Sequence, residues 1–288
     1  MIYLLFAMAL GLGVSKNVLP KIGGHQFSGI SNIMTVNIVT AIIGIIVLAI
    51  QGVDLSVALD IRFIIMAAFY GIATIGAQSL YIKAVEYGSV SVCSMIYAFG
   101  FLIPTFIMSA YLKEQISHFK NFGIVIIIAA VIMVTLSKRC GSTASKKYLP
   151  FIFLAMFSSG TVGLLQKIFS IIYGKNIFNE YLLLAFIFML ASSSVLKLIF
   201  VKNKIENLLL DKKTVIICFL LAFSNVFQNK LTLYLAADLP AIVFFPVYNG
   251  GTIILSSVFS YLFLKEKINL LGWIGVFCGV IAIVIMTF

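Results

Sequence analysis

Apolar residues in this chain do not alternate with polar ones at a short period. They run in blocks of about 20 residues, and the charged residues collect in the short gaps between blocks. Ten such blocks predict helices near residues 2–20, 28–50, 61–85, 88–112, 119–136, 148–171, 178–200, 213–236, 239–263 and 269–287. Each is long enough to cross roughly 30 Å of hydrocarbon. In lipid the backbone N–H and C=O groups must find partners within the segment, which a helix provides. The expected fold class is therefore an all-α membrane protein of ten transmembrane helices. In the first block the first basic residue, Lys16, follows the apolar stretch, so the basic leader of a signal peptide is missing and the block is read as helix 1.

Composition excludes the other broad classes. The chain is 62% hydrophobic and only 10% charged, with a mean hydropathy of +1.16, whereas a soluble domain is about a quarter charged. Cys93, Cys140, Cys218 and Cys278 lie far apart with no C-x-x-C spacing, and His25 and His118 form no ligand pair. Neither a metal site nor a disulfide framework is expected, no cofactor is implied, and no nucleophile, base and metal constellation suggests an enzyme. The net charge of +11 is accounted for by loop lysines beside anionic lipid headgroups and calls for no nucleic acid.

The chain repeats itself. Leu112-Lys113-Glu114-Gln115-Ile116 returns as Leu264-Lys265-Glu266-Lys267-Ile268, and the same register pairs Gly123 with Gly275 and Thr135 with Thr287. In each copy the motif follows the fourth helix of five, which argues against a chance match of two charged helix ends. The expected organisation is a first five-helix repeat over 1–137, a basic linker over 138–147 and a second repeat over 148–288. Five is an odd number, so the second copy enters the membrane from the opposite side. Two inverted halves provide two packings that open a central cavity to alternate sides.

On these residues the chain resembles the EamA-type family of the drug/metabolite transporter superfamily. Ala84-Val85-Glu86-Tyr87-Gly88-Ser89-Val90 with Lys113-Glu114-Gln115-Ile116 is similar to the family's first half. Phe245-Pro246-Val247-Tyr248-Asn249-Gly250-Gly251, with the second Leu-Lys-Glu motif and Gly272-Trp273-Ile274-Gly275, is similar to its second. The chain departs from the repeat where Ser94 stands opposite Pro246, while Pro104 lies lower in its helix. The resemblance implies a transporter of small metabolites. It names no substrate, since the family spans amino acids, sugars, nucleotide-linked sugars and others.

Polar residues inside spans are costly and mark candidate sites. On helix 8, Ser224, Asn225, Gln228, Asn229 and Thr232 fall within an arc of about 140°, which reads either as a cavity-lining face or as interhelical glue. Facing candidates are Ser28, Ser31, Asn32 and Thr35 on helix 2, Gln78 on helix 3, Tyr97 on helix 4, and Tyr248 and Asn249 on helix 9. Lys16, Lys167 and Lys230 lie inside spans, where they either meet an anionic group or snorkel to the interface. No carboxylate falls at mid-membrane, which disfavours a cation-for-proton antiporter. Gly275 and Gly279 form a G-x-x-x-G pair suited to a homodimer contact or to packing within one subunit.

Eleven basic loop residues fall on one face, Lys138, Arg139, Lys146 and Lys147 among them. Four fall on the other: Arg62, Lys113, Lys120 and Lys175. The charge rule places both termini outside, whereas the family resemblance implies both in the cytoplasm. The function expected is a secondary transporter or exchanger of a small neutral, zwitterionic or anionic metabolite. A lipid or lipid-linked-sugar translocator and a non-transporting membrane subunit are the alternatives.

Overall fold

The computed structural model describes residues 2–23, 30–54, 60–87, 93, 96–114, 117–136, 147–200, 212–264 and 269–286. They form ten α-helices and, among the described residues, no strand. These are α1 Ile2–Gly23, α2 Ile30–Ile50, α3 Ile61–Tyr87, α4 Leu102–Tyr111, α5 His118–Leu136, α6 Tyr148–Tyr173, α7 Phe178–Phe200, α8 Lys212–Asp238, α9 Ala241–Leu264 and α10 Leu270–Met286. A 3-10 turn at Phe99–Phe101 leads into α4. Seven helices (α1, α2, α3, α6, α7, α8 and α9) are long and apolar enough to cross a membrane, and Ile96–Tyr111, His118–Val134 and Leu270–Met286 are shorter apolar helices.

The expected break at Asp238-Leu239-Pro240 is present: α8 ends at Asp238, and the Pro240 carbonyl accepts the first helical bonds of α9, from Val243 and Phe244. Proline suits this place because its missing N–H is one the first turn would leave unpaired. The linker expected at 138–147 lies outside the described residues apart from Lys147, as do Ser28, Cys140 and the second Leu-Lys-Glu motif beyond Leu264.

The chain divides into two compact units, residues 1–79 with 168–237 and residues 80–167 with 238–288. Each takes helices from both expected repeats. In the first unit Leu19 of α1, Val36 of α2 and Ile217, Cys218 and Leu221 of α8 pack as one apolar cluster. An aromatic block joins α3, α6 and α7: the Phe169 and Tyr181 rings stack at 3.7 Å between centroids, with Phe63 edge-on to both. Gly71 lets α3 lie against α7, since a Cβ there would come within 2.6 Å of the Ala185 carbonyl oxygen. Residues facing outward, such as Ile46, Phe69, Leu198 and Phe219, are large and apolar, as a lipid-facing surface requires.

The second unit uses small residues more heavily, which is how helices associate where lipid removes the hydrophobic drive. Gly100 of the 3-10 turn before α4 and Gly160 of α6 lie so close that a Cβ on either would sit 2.7 Å from a backbone oxygen of the other segment. Helices α5 and α10 pack reciprocally. Gly123 of α5 meets Ala282 and Met286 of α10, while Gly275 of α10 meets Ala130 and Val134 of α5. The beginning of each helix lies against the end of the other, so the pair is antiparallel. Gly279 faces Ile254 of α9 and Ala130, so both members of the G-x-x-x-G pair are taken up by packing within the chain.

The two reciprocal glycines differ in what surrounds them. A Cβ at Gly275 would lie 2.9 Å from the Ala130 carbonyl oxygen, the Met133 Cβ and Val134, whereas at Gly123 the nearest atom belongs to the flexible Met286 side chain. Gly275→Ala is expected to lower stability by about 1–3 kcal/mol through overpacking, and Gly123→Ala by clearly less, read as thermal unfolding midpoints in detergent.

Candidate functional site

In the first unit the polar arc of α8 is drawn partly into the protein. Ser224 and Thr232 are buried, and Thr232 returns its hydroxyl to the Gln228 carbonyl at 2.9 Å. Asn225 donates to the Leu221 carbonyl at 3.1 Å. The Tyr70 hydroxyl of α3 donates to the Asn229 side-chain oxygen at 3.0 Å, a direct cross-helix bond on this arc. Gln228 keeps its side-chain oxygen buried with no hydrogen-bond partner among the described residues. Asn32 of α2 is buried and Gln78 of α3 half-buried in the same unit. Tyr70 was not legible as a site residue, because a tyrosine one-third of the way along an apolar helix reads as packing.

Tyr97, Tyr248 and Asn249 lie in the second unit. Tyr97 shares a hydrogen bond with Ser159 of α6, and its ring packs on Tyr81 at 5.0 Å. Tyr248 is buried and stacked on Phe244. Asn249 is half-buried and donates to the Phe245 carbonyl at 2.9 Å. Six of the expected binding residues thus belong to one unit and three to the other.

The three lysines differ sharply. Lys230 is half-buried and reaches the Gln51 side-chain oxygen at the end of α2, as a snorkelling side chain would. Lys167 is buried and donates to the Leu239 carbonyl at 2.7 Å, with the carboxylates of Glu114 and Asp238 acting on its charge. Lys16 is half-buried on the face of α1 that carries buried Ala9 and Gly13, and among the described residues no acceptor or acid meets it.

Lys167 belongs to a polar clasp around the start of α9. Helix α4 closes with the Glu114 N–H bonded to the Ser109 carbonyl at 3.0 Å and the Lys113 N–H to that of Ala110 at 3.3 Å, with Lys113 at φ 50°. This is a left-handed helix stop filled by lysine where glycine is usual. The turn aims Glu114 at α9, where its two carboxylate oxygens accept the Ala241 and Ile242 N–H groups at 2.8 and 3.0 Å. A carboxylate is favoured there because the first N–H groups of a helix lack intrahelical acceptors and carry the positive end of its dipole. The Leu-Lys-Glu motif therefore stops one helix and caps another.

Two substitutions probe this clasp. Glu114→Ala leaves two buried N–H groups without acceptors and is expected to cost about 1–2 kcal/mol, as loss of an N-cap does. Lys113→Gly relieves the left-handed strain and is expected to be neutral or stabilising by up to about 1 kcal/mol. Both are read from unfolding midpoints of the purified protein.

Comparison with known proteins agrees with this architecture. Residues 1–136 match the EamA-like transporter family. A solved crystal structure, titled only as that of a protein, aligns with 99% of this chain and 96% of its own at a TM-score of 0.78 and 12% identity, so the fold is shared. No curated protein matches the sequence. The first 136 residues are thus similar to the EamA-like transporter family, part of the drug/metabolite transporter superfamily, and the long apolar helices make the chain a multi-pass integral membrane protein.

Proposed function

We propose that the protein is a secondary transporter or exchanger that moves a small polar metabolite across the membrane by alternating access between two inverted five-helix halves, 1–137 and 148–288. The observation that carries this proposal is the reciprocal seam of α5 and α10. Gly123 and Gly275 are partners in the sequence repeat, and so are Ala130 and Ala282. Each glycine meets the alanine of the other copy. A contact that is its own mirror under exchange of the copies is what a two-fold axis produces. Because the two helices are antiparallel, that axis runs across them, which is the relation inverted halves require.

The solute is a small molecule with hydrogen-bonding tips. Gln228, Asn225 and Asn229 on α8, with Ser224, Asn32 and Gln78, supply amides and hydroxyls for it within the first unit. Neutral, zwitterionic and anionic solutes fit a set that contains no mid-span carboxylate, and Lys16, which no acid meets among the described residues, favours a solute bearing a negative group. Carriage by this route needs no cofactor.

Counterflow in proteoliposomes loaded with amino acids, organic acids, sugars and nucleosides tests the proposal. One solute class is expected to exchange in the wild type and to be lost in Gln228→Ala with folding retained. Lys16→Gln is expected to weaken exchange of anionic more than of neutral members of that class. Absence of exchange by folded, inserted protein would sink the proposal and favour lipid translocation or a non-transporting role.

A further inference from the structure

A second polar cluster lies away from the α8 arc, on the seam between α2 and α7. Two contacts fix how these helices pack. Gly44 of α2 lies against the Phe186 ring so closely that a Cβ would come within 2.8 Å of it. Further along, the Lys197 ammonium of α7 donates to the Thr35 hydroxyl at 2.8 Å. The numbers rise on one helix as they fall on the other, so the pair is antiparallel. Seven residues return a helix to nearly the same face, offset by about 20°. Moving seven residues from Gly44 towards Thr35, and seven from Phe186 towards Lys197, therefore brings Asn37 level with Ser193. Thr40 shares the stripe of Asn37 and Gly44, within about 60°.

All three side chains are deeply buried, Asn37 at 4% exposure, Thr40 at 1% and Ser193 at 0%. Among the described residues the Asn37 amide nitrogen and the Thr40 and Ser193 hydroxyls have no hydrogen-bond partner. The hydroxyls do not turn back to their own helices, as those of Thr35, Thr74 and Thr232 do. Asn37 and Ser193, level on facing helices, do not bond each other. The seam is thus closed at the Gly44–Phe186 contact and at the Thr35–Lys197 bond, with three unsatisfied polar groups between.

The chemistry of these groups selects the guest. An amide N–H, two hydroxyls and an ammonium one turn beyond Ser193 all donate, and Thr35 occupies only one of the three ammonium protons. The α2 helix contains no acid, and the acid of α7, Glu180, stands thirteen residues before Ser193, about 20 Å along the axis. Among the described residues of α2 and α7 a cation meets no nearby negative charge, whereas an anion meets donors and one positive charge. We propose that the α2–α7 seam holds a binding site for a small monovalent anion, a halide or a small carboxylate, formed by Asn37, Thr40 and Ser193 with Lys197 at its edge. It stands on the first unit alone and is independent of the transport proposal.

The test uses the purified full-length protein in detergent at fixed sodium and fixed ionic strength, with gluconate exchanged stepwise for bromide or for formate. The unfolding midpoint of the wild type is expected to rise saturably with bromide, formate or both, and the rise to be lost in Ser193→Ala and Lys197→Gln. Response to bromide alone identifies a halide site, and response to formate alone a carboxylate site. A midpoint that does not depend on the anion, or a rise that persists in both variants, overturns the proposal. Broadening of the bromide NMR line by the wild type supplies a readout free of mutation: saturable broadening supports the site, and its absence together with a flat formate titration overturns it.

Discussion

The first turn of a helix carries N–H groups that the helix itself never satisfies, and within a membrane protein water is not at hand to take them. At α9 two of these fall to Glu114, which reaches them from the end of a different helix. Much of the second unit hangs on this arrangement. It fixes where α4 stops relative to where α9 begins, and it puts a negative charge beside Lys167, whose ammonium then has reason to stay buried on the Leu239 carbonyl. The left-handed Lys113 shows that the turn is retained although its backbone favours glycine. Orientation of the carboxylate outweighs local strain.

The coarse architecture was legible because lipid imposes it. Runs of about 20 apolar residues have few alternatives to helices, so the helix positions follow from hydropathy, and the Asp238-Leu239-Pro240 break follows from proline's preference for a first turn. Glu114 and Glu266 were legible only as matching positions of a sequence pattern. That Glu114 caps a helix more than a hundred residues later depends on which helices become neighbours, and no local spacing reports that. The α8 arc was visible because five polar residues share one face. Its bond from Tyr70 was not, since an isolated tyrosine in an apolar helix carries no periodic signal.

Asn37, Thr40 and Ser193 were passed over for a related reason. Asn37 and Thr40 are scattered small polar residues in an isoleucine-rich span, Ser193 is one of three consecutive serines, and a small hydroxyl is usually satisfied by its own helix. Only the three-dimensional pairing of α2 with α7 shows that these are not. The lysines make the same point from the other side: three similar sequence positions have three different environments, one half-buried on Gln51, one clasped with acids nearby and one that no acid meets among the described residues.

The seam between α5 and α10 also constrains how this protein can vary. Its contacts bind both ends of both helices, with Gly123 against Ala282 and Met286, and Gly275 against Ala130 and Val134. One residue added between Gly123 and Ala130 would turn the far end of α5 by about 100° and advance it by about 1.5 Å, so the two ends could not both stay in register. Substitutions at this seam are graded in cost, but changes of length are all or nothing. The spacing between its small residues acts as a ruler, and length variation has to be accommodated in the loops.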